Sequence, residues 1–123
     1  MKLEVLKDPT KNKPNKFNAK KVEIDGITFD SLKEGGFYNH LKMLKHAKDP
    51  KERVTLIQPH VPIPVYIKTK HVFTYILDFK VSYADGHWEY FDVKGLKKGA
   101  AYAHFRTKKA CVEAHEDITI QEI

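Results

Sequence analysis

The sequence contains little cysteine and no long apolar run. Cys111 is the only cysteine among 123 residues, which excludes an internal disulfide and a cysteine-rich zinc site and is typical of a reducing cytoplasm. No apolar run approaches the roughly 20 residues of a membrane-spanning helix, and residues 1–5 lack the apolar core of a signal peptide. We therefore expect a cytoplasmic protein with Cys111 in its hydrophobic core.

Sequence signatures of nucleotide-driven and zinc chemistry are also missing. The chain has neither the P-loop pattern nor the GxGxxG pattern of dinucleotide-binding proteins. Its seven histidines include no pair at i, i+4 and no HExxH, the spacing that brings two imidazoles to one zinc ion on a helix. These absences argue against a nucleotide cofactor and against a histidine-based metal site.

Basic residues are concentrated in two segments of a chain whose net charge is +6. Residues 1–21 hold seven lysines against two acids, and residues 94–109 hold six basic residues and no acid. Between them, residues 22–93 are nearly neutral, with nine bases and ten acids. Two basic patches around a neutral body suit a polyanionic partner such as nucleic acid, although solvated lysines on an arm and a helix would give the same pattern.

The hydrophobic pattern predicts one α/β or α+β domain over residues 21–123, preceded by a flexible basic arm at residues 1–20. The predicted order is a β-hairpin, a helix, three strands, a second helix and a final strand, which indicates a mixed sheet flanked by two helices. The segments are 22–29, 31–48, 54–57 continuing at 61–67 after a break, 72–83, 87–93, 100–115 and 118–123. Prolines in the segment 61–67 are typical of an edge strand.

The turn after the predicted strand 72–83 decides whether Asp78 and Asp92 meet. A two-residue loop would leave them one position out of register, whereas a three-residue loop would place them directly opposite each other. The sequence Ala84-Asp85-Gly86 suits a type I turn followed by a glycine bulge. We therefore favour the longer loop and the opposed aspartates.

Opposed carboxylates repel each other, which destabilises a strand pair, and a bound divalent cation reverses that effect. Two carboxylates with open coordination positions suit Mg²⁺ or Mn²⁺, which prefer oxygen ligands. Lys94 shares a face with Asp92, because side chains two residues apart on a strand point the same way. It is thus placed to stabilise a phosphate or to position an attacking water. The alternative is that Asp92 and Lys94 form a solvent-facing pair at a strand end.

Glu34 also has two interpretations. Together with Ser31 it matches a capping box at the start of a helix, which needs no further function. It also lies one turn before Phe37 and Tyr38, at the edge of the apolar stripe, and in that position it would point toward the sheet.

The ordered set Glu34, Asp78 and Asp92-Val93-Lys94 resembles the pattern of the PD-(D/E)XK nuclease superfamily, in which a helix glutamate, a strand aspartate and an acid-x-lysine converge on a metal ion. A closer resemblance is to small phage-encoded proteins with Holliday-junction-resolvase-like or endonuclease-like assignments. The segments that carry it are 21–31, Glu34, 56–59, 75–79 and 91–95. The absence of a proline before Asp78 and the Gly35-Gly36 pair after Glu34 depart from the pattern.

This resemblance implies a restriction-endonuclease-like core and Mg²⁺-dependent hydrolysis of DNA phosphodiesters, with Mn²⁺ as a possible substitute. The implied metal ligands are Asp78, Asp92, the backbone carbonyl of Val93, and Glu34 either directly or through water. Lys94 would position the nucleophilic water or stabilise the transition state.

The implied substrate is branched DNA in phage replication or recombination, inside the cytoplasm of a bacterial host. Five cations that follow the site would contact phosphates: Lys97, Lys98, Arg106, Lys108 and Lys109. Cutting both strands of a symmetric junction needs two active sites, so we expect a homodimer. A non-catalytic DNA-binding protein on the same scaffold and an RNA-directed nuclease stay open as alternatives.

Overall fold

The structure, a computed structural model, describes residues 20–95 and 97–123. The predicted basic arm therefore lies outside the described residues, apart from Lys20. The chain divides into two compact units, the first ending at Phe37 and the second running from Tyr38 to Ile123. No helix in the described ranges is long and apolar enough to cross a membrane.

The first unit contains the predicted β-hairpin and the start of the first helix. Strands β1 (Val22–Ile24) and β2 (Ile27–Phe29) pair in antiparallel fashion. Their two-residue turn has positive φ at both positions, 55° at Asp25 and 79° at Gly26, as the twist of a tight hairpin requires. The helix lies close to this hairpin, since a Cβ built on Gly35 would come within 2.7 Å of Val22 Cγ1. This close approach gives a packing reason for one of the two glycines that follow Glu34.

Helix α1 (Leu32–Met43) continues across the boundary between the units and ends in a 3-10 turn at Leu44–His46. One of the two hydrogen bonds of the predicted capping box is confirmed, because the Glu34 N–H donates to Ser31 Oγ at 3.1 Å. In the second unit, the ring of Tyr38 stacks against Phe79 with centroids 6.5 Å apart, which connects the end of this helix to the sheet.

The second unit is built on a four-stranded mixed sheet in the order β3-β4-β5-β6. Its strands are β3 (Val54–Ile67), β4 (Lys70–Tyr83), β5 (Trp88–Asp92) and β6 (Ile120–Glu122). The first three are antiparallel neighbours, and β5 and β6 are parallel. The predicted α+β class with two helices and a mixed sheet is thus confirmed.

Helix α2 (Ala100–Glu116) connects the two parallel strands, because parallel neighbours cannot be joined by a tight turn. Its Val112 is fully buried and packs in a cluster with Val65, Tyr75, Leu77 and Ile120. Burying such aliphatic side chains stabilises a fold by about 1.5–3 kcal/mol each, so this cluster holds α2 against the sheet.

Two details differ from the sequence-based expectations. The segments 54–57 and 61–67 form one continuous strand, β3, because it is the edge strand of the sheet and a proline there need not break a ladder on both sides. Cys111, expected in the core, is exposed, since the neighbouring Val112 takes the inward position. Trp88 is also 40% exposed, and the Lys80 ammonium lies 4.8 Å from its ring centroid.

Candidate active site

The loop between β4 and β5 has the length that aligns the two aspartates. The Tyr83 N–H donates to the His87 carbonyl at 3.0 Å, and the Gly86 N–H donates back to the Tyr83 carbonyl at 2.9 Å. Gly86 has a φ of 98°, the region that glycine reaches without strain. The ladder then pairs Phe79 with Phe91, so Asp78 on β4 faces Asp92 on β5. The three-residue loop is confirmed.

Asp78 and Asp92 meet through hydrogen bonds that cross between their strands. The Asp78 N–H donates to Asp92 Oδ1 at 3.1 Å, and the Val93 N–H donates to Asp78 Oδ2 at 2.8 Å. Each carboxylate therefore accepts from the main chain of the opposite strand. Since strand N–H groups point toward the neighbouring strand, the Asp92 carboxylate takes the place of a ladder acceptor and lies between the strands.

Burial of Asp92 sets the electrostatics of the pair. Its side chain is 1% exposed. Burial raises the pKa of the Asp92 carboxyl to about 6, and the negative charge of Asp78 acts in the same direction. Hydrogen bonds from Tyr75 and the Asp78 main chain, together with the charge of Lys94, act in the opposite direction. Two ionised carboxylates are thus costly here without a cation.

Tyr75 is a site residue that the sequence interpretation missed. Its hydroxyl donates to Asp92 Oδ2. Burial and then this hydrogen bond raise the pKa of the Tyr75 phenol well above its ordinary value, so the hydroxyl remains a donor. Tyr75 belongs to the buried cluster that includes Val112 of α2, and its ring centroid lies 6.3 Å from that of Phe105. No local sequence signal indicates this contact.

Lys94 is placed by the C-terminal strand and by helix α2. Its N–H donates to the Ile123 carbonyl at 3.1 Å, and the Ile123 N–H donates to the Asp92 carbonyl at 2.8 Å. Its ammonium lies 3.7 Å from the ring centroid of Phe105 on α2. The segment that carries Asp92 and Lys94 is therefore fixed from both sides. Phe105 is a second residue that the sequence interpretation did not single out.

Strand β3 is irregular opposite Asp78. The ladder pairs Pro59 with Phe79 and Val61 with Leu77. Between them His60 has a φ of 53°, a left-handed conformation that is uncommon for a non-glycine residue. Such strained positions cost about 1–3 kcal/mol and cluster at functional sites. The backbone of the edge strand is thus distorted next to the carboxylate pair.

Glu34 lies in the first unit and is buried, with 7% exposure. Its main-chain N–H makes the capping contact with Ser31, whereas Asp78, Asp92 and Lys94 belong to the second unit. The structure thus brings together Asp78, Asp92, Val93 and Lys94, and the participation of Glu34 stays a prediction.

The oxygen-rich donor set fits a hard divalent cation. Among residues 20–95 and 97–123, no group of three or more His, Cys, Asp or Glu side chains could hold a metal ion. What the second unit offers is two facing carboxylates, one of them buried and destabilised in its charged form. Mg²⁺ is commonly bound by only one or two carboxylates, with substrate phosphates and water completing its shell. The pair therefore fits Mg²⁺ better than a metal that needs an all-protein cage.

The five predicted DNA-binding cations lie in different surroundings. Lys97 and Lys98 are exposed just before α2. Lys109 is only 15% exposed and pairs with Glu122 at 3.2 Å and Glu113 at 3.6 Å. Its charge is thus used inside the fold, and Lys97 and Lys98 are better placed for phosphates.

The other two cations contact aromatic rings. Arg106 is 59% exposed, with its Nε 3.8 Å from Glu122 Oε2 and its guanidinium 5.8 Å from the Tyr102 ring centroid. The Lys108 ammonium lies 5.5 Å from the ring centroid of Phe73. Arg106 therefore remains accessible to a polyanion in solution, whereas Lys108 is partly buried.

The chain matches the family described as "Protein of unknown function (DUF1064)" over residues 14–120. Because the match spans most of the sequence, the chain belongs to the DUF1064 family. No curated protein and no solved structure matches it.

Proposed function

We propose that this member of the DUF1064 family is a Mg²⁺-dependent endodeoxyribonuclease that hydrolyses phosphodiester bonds in branched DNA, with Mn²⁺ as a possible substitute. The observation that carries the proposal is the reciprocal contact of Asp78 and Asp92, in which a buried carboxylate with a raised pKa faces a second one beside Lys94. An arrangement that disfavours its own charges persists in a protein when a ligand compensates for them.

Asp78, Asp92 and the carbonyl of Val93 would hold the ion, and Glu34 would contribute directly or through water. When bound, the ion supplies a lowered pKa for a bound water and charge stabilisation on the phosphate. Tyr75 keeps Asp92 Oδ2 in one orientation through its hydroxyl. Lys94, held against Phe105, orients the attacking water or stabilises charge on the non-bridging oxygens.

The surface around the site suits a DNA backbone. Lys97 and Lys98 follow the site within four residues and are exposed, and residues 94–109 contain no acid. Contacts of this kind set affinity without sequence preference, which is consistent with recognition of DNA shape. The proposal includes a homodimer, because a symmetric junction presents two strands to cut, and a phage protein that acts in the host cytoplasm.

The test is cleavage of labelled four-way junction, nicked, single-stranded and linear duplex DNA, and of an RNA strand, with Mg²⁺, Mn²⁺ or EDTA. We expect metal-dependent cutting of branched DNA by the wild type and none by Asp92→Asn or Asp78→Asn, which keep the side-chain shape. Asp117→Asn, at an exposed left-handed position that asparagine accepts, is the matched control and should cut normally. Tight binding without cutting in either metal would overturn the nuclease proposal.

A second candidate is a non-catalytic DNA-binding protein. It is favoured by the hydrogen bonds that both carboxylates accept from main-chain N–H groups, since such contacts give the aspartates a structural role. In that case Asp92→Asn would leave salt-dependent DNA binding unchanged and metal would have no effect on any of the substrates.

A further inference from the structure

A cavity of about 510 Å³ lies in the second unit, between the outer part of β3, the central strands and the end of α2. Its volume is within the range of small-molecule sites, roughly 300–1,000 Å³. The wall residues that matter for recognition are Ile63, Tyr66, Lys80, Tyr90, His115 and Ile118. Together with Glu116, they combine apolar and aromatic surface with one ammonium group, one imidazole and one carboxylate.

The walls of this cavity are tied together without a ligand. The Tyr66 N–H donates to His115 Nε2 at 3.2 Å, which joins the edge strand β3 to the last turn of α2. His115 Nδ1 lies 2.6 Å from Glu116 Oε2, so the imidazole is held from both of its nitrogens. Tyr90 and Ile118 also pack against the buried cluster of this unit. The cavity is therefore formed before anything binds.

The cavity begins two residues along β4 and β5 from the two aspartates. Lys80 and Tyr90 are directly paired in the β4–β5 ladder, and each lies two residues from Asp78 or Asp92. Two residues along a strand span about 6.6 Å and lie on one face. This distance is similar to the separation of successive phosphates in an extended DNA strand. A chain whose phosphate lies at the carboxylates can therefore place its neighbouring nucleotide in the cavity.

The chemistry of the walls matches a nucleobase better than a phosphate or a sugar. A base has flat apolar faces, which suit the ring of Tyr90 and the side chains of Ile63 and Ile118. Its polar edge can reach the polar groups of the cavity wall near His115. Lys80 lines the cavity, and its ammonium, which lies 4.8 Å from the ring centroid of Trp88, supplies a cation for the phosphate of that nucleotide. A base that is stacked and paired in continuous duplex cannot enter such a cavity, because it first has to leave the helix.

We propose that this cavity binds one unstacked nucleobase of the DNA strand whose phosphate lies at Asp78 and Asp92. Building on the nuclease function above, it selects strands that are single or locally unpaired, such as those at a branch point, over continuous duplex. Each base stacked on an aromatic side chain contributes enough to change affinity by about tenfold, and cation contacts at the rim add to this.

The first experiment measures binding in EDTA, by fluorescence anisotropy, to an oligothymidylate and to blunt duplex DNA of equal length. We expect the wild type to prefer the oligothymidylate, and Tyr90→Leu to lose about tenfold in that affinity with little change for duplex. Tyr90→Phe, which keeps the ring, should bind like the wild type. Lys80→Met should weaken oligothymidylate binding, whereas Lys70→Met, on the same strand but outside the cavity, should not.

The second experiment replaces single nucleotides by abasic residues around the cut site of a branched substrate. We expect one position next to the cut phosphate to lose cleavage in the wild type, and no additional loss at that position in Tyr90→Leu. If Tyr90→Leu does not fold, as thermal unfolding would show, Lys80→Met and the abasic series decide the question. Equal binding by all variants, or a uniform abasic series, overturns the proposal.

These outcomes separate the cavity from the nuclease activity. Binding in EDTA does not depend on hydrolysis, so a variant effect without any cleavage would retain the base site and reject the nuclease. Cleavage that is unaffected by Tyr90→Leu and Lys80→Met would retain the nuclease and reject the base site.

Discussion

Asp92 and Glu122 are partners in the parallel ladder of β5 and β6, yet their surroundings are opposite. Glu122 accepts the Tyr102 hydroxyl at 2.5 Å and pairs with Lys109 and Arg106. The hydrogen bond from Tyr102, and then the one from Lys109, lower the pKa of the Glu122 carboxyl. Burial and Asp78 instead raise the pKa of Asp92. The charge of Glu122 is neutralised by cations of this chain. An added cation would stabilise the charged form of Asp92.

The comparison separates a structural acid from a functional one on physical grounds. Both are acidic residues at strand ends in the same sheet, and only Asp92 stands in an acid-x-lysine pattern. Cations of α2 face Glu122, whereas a carboxylate, a main-chain N–H and a phenol face Asp92. The number and sign of the charges around a buried acid therefore indicate its role better than its burial does.

The largest expected difference between the two acids is in activity. Asp92→Asn should lower Mg²⁺-dependent cleavage by more than the roughly 100-fold that loss of an outer partner of a metal ligand causes. Glu122→Gln should keep most of the cleavage, because its partners are structural. Single-turnover rates on a branched substrate measure both. Equal losses of cleavage in the two variants would contradict the assignment of Asp92 as the functional acid and Glu122 as the structural one.

The next difference is in how stability depends on pH. Because the pKa of Asp92 rises to about 6 in the folded protein from about 4 in the unfolded chain, the folded state binds the extra proton between these values. The contribution of this proton to the free energy of unfolding is complete below about pH 4 and is lost as pH rises through about 6. Its size is of the order of 2 kcal/mol. Urea unfolding at several pH values should show this fall, and Asp92→Asn should flatten it.

Mg²⁺ should act against that loss. Since the ion binds the ionised pair, it should raise the unfolding temperature more at pH 7.5 than at pH 5, and it should have no such effect on Asp92→Asn. A Mg²⁺ effect that is independent of pH would show that the ion binds elsewhere.

A smaller effect is expected from the structural acid. Glu122→Gln removes the charge that pairs with Lys109, which is 15% exposed, and should lower the free energy of unfolding by about 1–3 kcal/mol. Glu52→Gln, at an exposed turn position, is the control and should change it by less than about 0.5 kcal/mol. Urea unfolding at pH 7 measures both, and an unchanged midpoint for Glu122→Gln would mean that the ion pairs contribute nothing.

The smallest effect should come from the ring that holds Lys94. Phe105→Leu removes a cation–π contact of about 0.5–2 kcal/mol and should slow cleavage about fivefold. Phe105→Tyr keeps the ring face and should restore the rate. An equal rate loss in Phe105→Tyr would contradict a role of the ring face in holding Lys94.

The element order and the register at the site could be predicted from the sequence because both depend on local chemistry. The Asp85-Gly86 turn fixes the loop length, and loop length fixes which residues face each other across the hairpin. That is why the sequence alone predicts that Asp78 and Asp92 face each other.

The rest of the site could not be predicted in this way. Tyr75 contacts Asp92, and Lys109 contacts Glu122, through the packing of α2 on the sheet. Contacts of this kind depend on the tertiary arrangement and not on the spacing of residues. The exposed Cys111 beside the buried Val112 shows the same limit within a helix, since adjacent positions differ by about 100° and apolar composition alone does not fix the inward face.

The three prolines of β3, at positions 59, 62 and 64, have a consequence for assembly. An edge strand with a full set of N–H groups can accept a strand from another copy, and sheets then grow from one molecule to the next. β3 is one edge of the four-stranded sheet, and each proline removes one donor that such growth needs. The long edge strand therefore resists the open-ended stacking that leads to fibrils.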